Sequence, residues 1–425
     1  MSAGQIPGHS FPRAFVRQAG SRPIKFHRNQ EGMPMSGNFD CLVIGAGYAG
    51  AAAARELAER GGRRVLVLER RDHIGGNAYD CPDESGILVH RYGPHIFHTS
   101  DKRVFDWLSR FTAWRDYQHR VLANVYGTYM PVPFNLTSLH MAFPGEKGDR
   151  LEKKLLAAYG EGARVTILAL REDSDPEIRE VADYVYEHVF VHYTMKQWGQ
   201  TPEEIDPATT ARVPVLLSWD DRYFQDPYQG MPLEGYTAMF RRMLDHPNIT
   251  VELGVDARDR IALAEGTIFL DGAPFSGPVI FTGEVDELFG FQYGRLPYRT
   301  LDFVSETLPV DQYQPAATVN YTVDQPYTRI TEYKQLTGQV FPGRTSIMKE
   351  FSRAYTGAAG EIPYYAVINP ENNALYGRYR DLADGFSCLH LLGRLAEYKY
   401  YNMDAIVARA LSLCDRLLEE QERIL

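Results

Sequence analysis

The sequence predicts an α/β protein: a nucleotide-binding domain interrupted by an inserted helical bundle and an antiparallel β-sheet domain. Three observations predict it. A glycine-rich turn, Gly45-Ala46-Gly47-Tyr48-Ala49-Gly50, stands between a short apolar strand and a helix. The stretch from Thr137 to about Thr210 is patterned mainly as helices, whereas residues 298–370 alternate like antiparallel strands. The C-terminal stretch then returns to a strand, a turn at Gly393 and a helix.

Taken in order, Phe39 to Ile44 is the first buried strand, Ala51 to Arg60 the first helix, and Arg64 to Leu68 the second strand, ending at Glu69. This is a β-α-β unit. Residues 118–134 are expected as strands ending in the turn Pro131-Val132-Pro133, and Tyr184 to Tyr193 as an aromatic helix face whose Tyr184, Tyr186 and Phe190 belong to the core. Short strands follow over residues 248–282, one of them Val279 to Thr282, and Ala317 to Val323 is a further strand. The chain closes with a strand from Ser387 to Leu392 and a helix from about Met403 to Leu418. Residues 1–37, rich in Arg, Pro, Gly and Ser without periodicity, are expected to be a disordered tail.

Composition narrows the function. With 44% hydrophobic and 24% charged residues, the 425-residue chain is a folded protein with ample core. Its net charge of −10 argues against nucleic acid as the main partner, because that binding rests on basic phosphate contacts. The 27 Tyr outnumber the 21 Phe, which points to polar, aromatic-lined surfaces suited to a hydroxyl-rich ligand. Cys41, Cys81, Cys388 and Cys414 lie far apart, without metal or redox-pair spacing, and are expected as reduced thiols of a cytoplasmic protein. No apolar run reaches the ~18 residues of a membrane span, so no membrane insertion is expected.

The glycine turn matches G-x-G-x-x-G. Gly45 makes the tight bend, Gly47 lets the backbone approach a pyrophosphate, and Gly50 lets helix and strand pack closely. Glu69, 24 residues after Gly45, is placed to accept ribose hydroxyls. The unit is therefore Rossmann-like. The stretch Glu69-Arg70-Arg71-Asp72-His73-Ile74-Gly75-Gly76-Asn77 resembles the amine-oxidase-like flavoproteins, in which a second glycine pair lies against FAD; FAD is thus the expected cofactor.

Four further motifs sharpen the resemblance: Arg91-Tyr92-Gly93-Pro94-His95-Ile96-Phe97-His98-Thr99, Tyr193-Thr194-Met195-Lys196-Gln197-Trp198-Gly199, Tyr228-Gln229-Gly230-Met231-Pro232, and Gly393-Arg394-Leu395-Ala396-Glu397-Tyr398-Lys399-Tyr400-Tyr401. Together, from about Phe39 to the C-terminus, the chain resembles the bacterial UDP-galactopyranose mutases. The resemblance implies a discontinuous FAD-binding domain (38–117 with 230–290 and 386–425), a helical domain with a mobile lid (137–212) and an antiparallel sheet domain for substrate (118–136 with 213–229 and 291–385). It implies interconversion of UDP-galactopyranose and UDP-galactofuranose without net redox change, through a covalent adduct of reduced flavin N5 with the sugar. A homodimer and an external reductant, NAD(P)H or a reduced flavin, are also implied.

The same resemblance assigns roles. Arg212 and Arg329 hold the displaced diphosphate, with Arg299 at a further family position. Tyr223, Tyr365 and Tyr400 donate hydrogen bonds to the diphosphate, Tyr193, Thr194 and Trp198 belong to the uridine end or sugar cleft, and Asn320 joins the substrate side. His95 approaches the flavin through its backbone, while His98 is expected to be structural. Gly45, Gly47, Tyr48, Gly50, Glu69, Arg70, Gly76, Asn77, Gly93, Arg394, Tyr401, Asn402 and Met403 are the remaining expected cofactor contacts. Asn402 also faces substrate and departs from the family pattern, where Asp is usual; loss of that charge beside a diphosphate is expected to be tolerated. His95 and His98 have no third ligand nearby, so metal is not expected. Two other readings of the first β-α-β unit, an amine-oxidase-like oxidoreductase and a non-catalytic dinucleotide-binding chaperone of small GTPases, leave Trp198 and Arg212 unexplained.

Overall fold

The computed structural model describes residues 26–27, 39–199 and 214–422. A six-stranded parallel sheet forms the base, in the order Phe26–His27, Ile249–Leu253, Val65–Glu69, Cys41–Ile44, Val279–Phe281, Leu389–Leu391. Its central strands are apolar at nearly every position because both faces are covered. Cys41, Val43, Val65 and Val67 pack with the helices Tyr48–Glu59, Tyr236–Leu244 and Met403–Glu422. Leu42, Ile44, Leu66 and Leu68 pack on a three-stranded antiparallel sheet built from Ile261–Ala264, Thr267–Leu270 and Ala273–Phe275. The edge strand Phe26–His27 corrects one expectation: part of the N-terminal 37 residues pairs with Val251 and Glu252.

The first helix begins at Tyr48, three residues earlier than its alanine run suggests, because the glycines of the turn continue into its first turn. Gly50 lies over the turn itself. A Cβ placed there would stand 1.9 Å from the carbonyl oxygen of Gly45.

The second large sheet has seven strands, in the order Tyr365–Ala366, Tyr298–Leu308, Thr345–Ala354, Arg329–Glu332, Thr318–Tyr321, Val121–Val125, Thr128–Val132. It is antiparallel except between Thr318–Tyr321 and Val121–Val125, which run parallel. The helices Leu136–Ala142, Glu146–Tyr159, Ile167–Arg171 and Pro176–Val185 pack at one end of it. Their apolar faces share one core with Val121, Ala123, Val125, Met130 and Val132 of the sheet. Asp175 starts the last of these helices by accepting from the Glu177 amide, with Pro176 at the first helical position. A π-helical turn, Tyr186–Phe190, leads into the helix Val191–Trp198. Phe190 is buried in this core, with Tyr184 and Tyr186 packed against it, as the aromatic pattern implies.

A three-stranded sheet joins the two halves: Tyr228–Pro232 pairs with Phe97–Thr99 on one side and Trp114–Asp116 on the other. The functional cleft lies along this junction.

Replacement of Gly50 by alanine forces the helix away from the backbone of Gly45. We expect Gly50→Ala to lower stability by about 1–3 kcal/mol in urea unfolding and to cost cofactor retention. Unchanged stability would contradict the contact.

Candidate functional site

Two adjoining cavities occupy the junction. The first is lined by the glycine turn and by the strand ends beside it. Gly45 adopts a positive φ of 102°, which only glycine holds without strain. The two glycine-rich segments interlock. Gly75 donates to the carbonyl of Ala46, and a Cβ on Gly76 would lie 3.0 Å from the Gly47 Cα. This backbone approach is the physical reason for the second glycine pair. Glu69 is buried and braces the turn: its Oε2 accepts from the Ala46 amide at 2.8 Å and its Oε1 from the Arg71 amide at 2.9 Å. Each oxygen keeps a second lone pair for a ligand hydroxyl.

Arg71, which sequence reasoning left unassigned, also lines this cavity. One of its nitrogens donates to Oδ1 of Asn77 at 2.8 Å, and its guanidinium lies over the Tyr92 ring. Its Nη1 is buried without a protein partner, as is the hydroxyl of Tyr48. A cradle of glycines whose backbone approaches the cavity, with the Arg71 guanidinium in its lining, fits an anionic dinucleotide. Burial pushes the Tyr48 phenol well up, so it remains a neutral donor. Arg70 lines the same cavity but is turned toward Glu287 at 3.2 Å and Glu284 at 3.7 Å. Gly50 packs the helix rather than lining the cavity.

The second cavity, of about 780 Å³, is polar and opens beside the first. Asn77, His95, Arg394 and Met403 line both, so they form the wall between them. His95 donates from Nδ1 to the carbonyl of Gly93 at 2.9 Å, and its amide donates to Nδ1 of His90. Gly93 takes a positive φ of 89° to make this turn. Burial pushes the His95 imidazole down to about 3, so it is neutral. Arg394 gives two nitrogens to the carbonyl of Tyr401, at 3.0 and 2.6 Å, and stacks on the ring of Tyr400. Tyr401 lines only the first cavity and Asn402 only the second.

Arg329 is a half-buried cation in the lining of the second cavity. Its Nη2 donates to the hydroxyl of Tyr193 at 2.7 Å, and Glu350 lies 3.4 Å from its Nε. Burial opposes its charge, but Glu350 and the surrounding phenols outweigh that cost. Tyr193, Tyr223, Asn320, Tyr365 and Tyr400 all line the same space. The rings of Tyr365 and Tyr400 stack with centroids 5.8 Å apart. Asn320 presents a buried Oδ1 with no protein partner.

Other expected residues are placed elsewhere. Thr194 is buried on the helix Val191–Trp198 and does not line the cleft. Arg299 is also outside the lining: it straps the end of that helix, donating to the carbonyls of Gln197 and Lys196, both at 3.2 Å, and to Ser352. A cation at helix-terminal carbonyls is favourable, so this guanidinium already has a structural role. The backbone of Trp198 ends the helix, but its side chain, like Arg212, lies outside the described residues. His98 was expected to be structural, yet it lines the second cavity, together with His119 and Arg164, which carried no motif. Only the fold brings these three to the cleft, His98 and Arg164 from separate strands and His119 from the connection between two others, so no local spacing reveals them. Among the described residues no three His, Cys, Asp or Glu side chains form a metal-binding group, and no helix is long and apolar enough to cross a membrane.

This fold and site define a dinucleotide-binding protein with a second, polar ligand cleft against its cofactor cavity. Comparison with known proteins agrees. A family model described as NAD(P)-binding Rossmann-like domain matches residues 43–111, and one described as UDP-galactopyranose mutase matches residues 188–400. The chain is 36% identical to a probable UDP-galactopyranose mutase of Klebsiella pneumoniae over 383 residues, 90% of this chain and 95% of the relative. It is 36% identical to a dTDP-fucopyranose mutase of Escherichia coli over 372 residues, 87% and 96% of the two chains. A crystal structure of reduced UDP-galactopyranose mutase superposes with a TM-score of 0.66 at 18% identity, covering 90% of this chain and 94% of that one, which shows the shared fold. A putrescine oxidase shares it more distantly, with a TM-score of 0.56 at 12% identity and 90% and 99% coverage. The chain belongs to the UDP-galactopyranose mutase family, a family of isomerases.

Two fully buried histidines make stability pH-dependent. Burial pushes His90 and His119 down to about 3 in the folded protein, far below the ordinary 6.5. The unfolded chain therefore binds more protons between those values, and stability falls as pH drops from about 6.5 toward 3. Urea unfolding at pH 7 and pH 5 should show lower stability at pH 5, and His119→Gln should reduce that difference. A difference unchanged in the variant would remove His119 from the account.

Proposed function

We propose that the protein is a flavin-dependent isomerase interconverting UDP-galactopyranose and UDP-galactofuranose, a ring contraction without net redox change that supplies galactofuranose for cell-surface glycans. The observation that carries this reading is the shared wall of the two cavities: a glycine cradle suited to a dinucleotide stands directly against a cleft holding a half-buried cation ringed by phenols. FAD fits the first cavity, with Gly45, Gly47, Glu69, Arg71 and Gly76 toward its nucleotide half and Arg394, Tyr401 and Met403 toward its ring. When reduced, FAD supplies the nucleophilic nitrogen that the ring contraction requires.

The protein's own residues bind and orient. Arg329 stabilises the charge that grows on the diphosphate as the glycosidic bond breaks, and a site fixed by Glu350 and the sheet needs no reorganisation to do so. Tyr223, Tyr365 and Tyr400 donate hydrogen bonds to the same group, and Arg212 adds a second cation. Tyr193 and Trp198 take the uridine end, with Asn320 and Asn402 toward the sugar. The working enzyme is a cytoplasmic homodimer kept reduced by NAD(P)H or a reduced flavin.

The dithionite-reduced, flavin-loaded protein should convert UDP-galactofuranose to UDP-galactopyranose, followed by chromatography, and the oxidised protein should not. Arg329→Ala and Arg212→Ala should each lower turnover about 100- to 1000-fold with the flavin absorbance retained. No conversion by the reduced wild type would sink the assignment. Asn402→Asp places a carboxylate beside the diphosphate and should weaken UDP-galactose binding, measured by titration; tighter binding would refute this role.

A further inference from the structure

Among the described residues, the cleft lining contains one histidine–carboxylate pair. His98 lies on the strand Phe97–Thr99, opposite Gln229. Its Nδ1 is 2.8 Å from Oδ2 of Asp226, and the other oxygen of Asp226 accepts from the Ser100 hydroxyl at 2.7 Å. Phe224 stacks on the imidazole with ring centroids 3.5 Å apart and planes 12° from parallel. All four residues line the second cavity. Burial acts to raise the Asp226 carboxyl, but hydrogen bonds from Ser100 and His98 outweigh it and hold it below the usual range. An ionised acceptor fixes the proton on Nδ1 and leaves Nε2 as the nitrogen that meets a ligand.

Ring contraction needs such a group. Opening a pyranose breaks the C1–O5 bond and leaves the electron pair on O5, which takes up a proton. Closing the furanose forms the C1–O4 bond and releases the hydroxyl proton of O4. The two transfers cancel, so one residue that gives a proton to O5 and takes one from O4 ends as it began. The competing groups in the cleft are poorly suited. Burial holds His95 and His119 neutral, and Glu350 is committed to Arg329. Among the described residues, Asp226 pairs with His98 and His119 interacts with it electrostatically.

Resting on the mutase reading above, we propose that His98 is the acid–base residue of the sugar ring opening and closure, and that Asp226 is its positioning residue. The test separates bond cleavage from ring contraction in the flavin-loaded, reduced protein. UDP-galactose carrying ¹⁸O in the bridge between C1 and phosphorus scrambles that label whenever the C1–O bond breaks and re-forms, with no proton needed on O4 or O5. In His98→Gln, flavin absorbance and label scrambling should stay near the wild-type level while ring contraction falls about 100-fold or more. Asp226→Asn should lower contraction about 10- to 100-fold, and added imidazole should restore part of the contraction lost in His98→Ala. Equal loss of scrambling and contraction, or unchanged contraction, overturns the proposal. Absence of both in the wild type overturns the mutase reading instead.

Discussion

The cleft depends on one ion pair held in sheet register. Arg329 stands directly opposite Glu350 on one neighbouring strand and Asn320 on the other, so three polar side chains form a row across three adjacent strands of the sheet. Glu350 is buried and Arg329 half-buried, so each charge carries a desolvation cost that the other, with the Tyr193 hydroxyl on the guanidinium, offsets. Placing the pair on adjacent strands, rather than on loops, fixes the cation at one point of the cavity lining. Breaking either partner would leave the other buried without compensation, which ties the integrity of the sheet to that of the site.

The same economy governs the cofactor side. Glu69 serves first as the brace of the glycine turn, accepting two backbone amides, and presents its remaining lone pairs to the cavity. The interlocked glycine segments bring Asn77 to the wall that both cavities share, while the turn at Gly393 brings Arg394 to it. One wall would therefore orient both ligands of the proposed reaction. A shift of either segment would alter their mutual placement, which is what a reaction between two bound molecules is sensitive to.

Much of this was legible because it is local. The spacing of Gly45, Gly47, Gly50 and Glu69 encodes a turn whose geometry admits few alternatives, and the all-apolar strands follow from a sheet covered on both faces. Tyr193, Tyr223, Asn320, Arg329, Tyr365 and Tyr400 came from family motifs and converge on one cavity. What escaped is what the fold assembles from distant strands. Arg299 has the residue type of a diphosphate ligand, yet it caps a helix. His98, expected to be structural, lines the cleft paired with Asp226, 128 residues away in sequence, a juxtaposition that no local spacing reveals. Arg71 sits one residue beyond the expected Arg70, and only packing on Tyr92 and Asn77 decides which of the two turns inward.

The net charge of −10 also takes on a different meaning at the level of the site. The charged residues among the described lining of the second cavity balance: Arg164, Arg329 and Arg394 against Asp226, Glu350 and Asp404. Arg329 and Asp226 are further tied to partners within the cleft, Glu350 and His98. A diphosphate entering this space adds negative charge that the described lining does not fully neutralise, and at close range in a partly enclosed cleft that charge is weakly screened. A further cation would offset part of that charge, and Arg212, beyond the described residues, is the one proposed above.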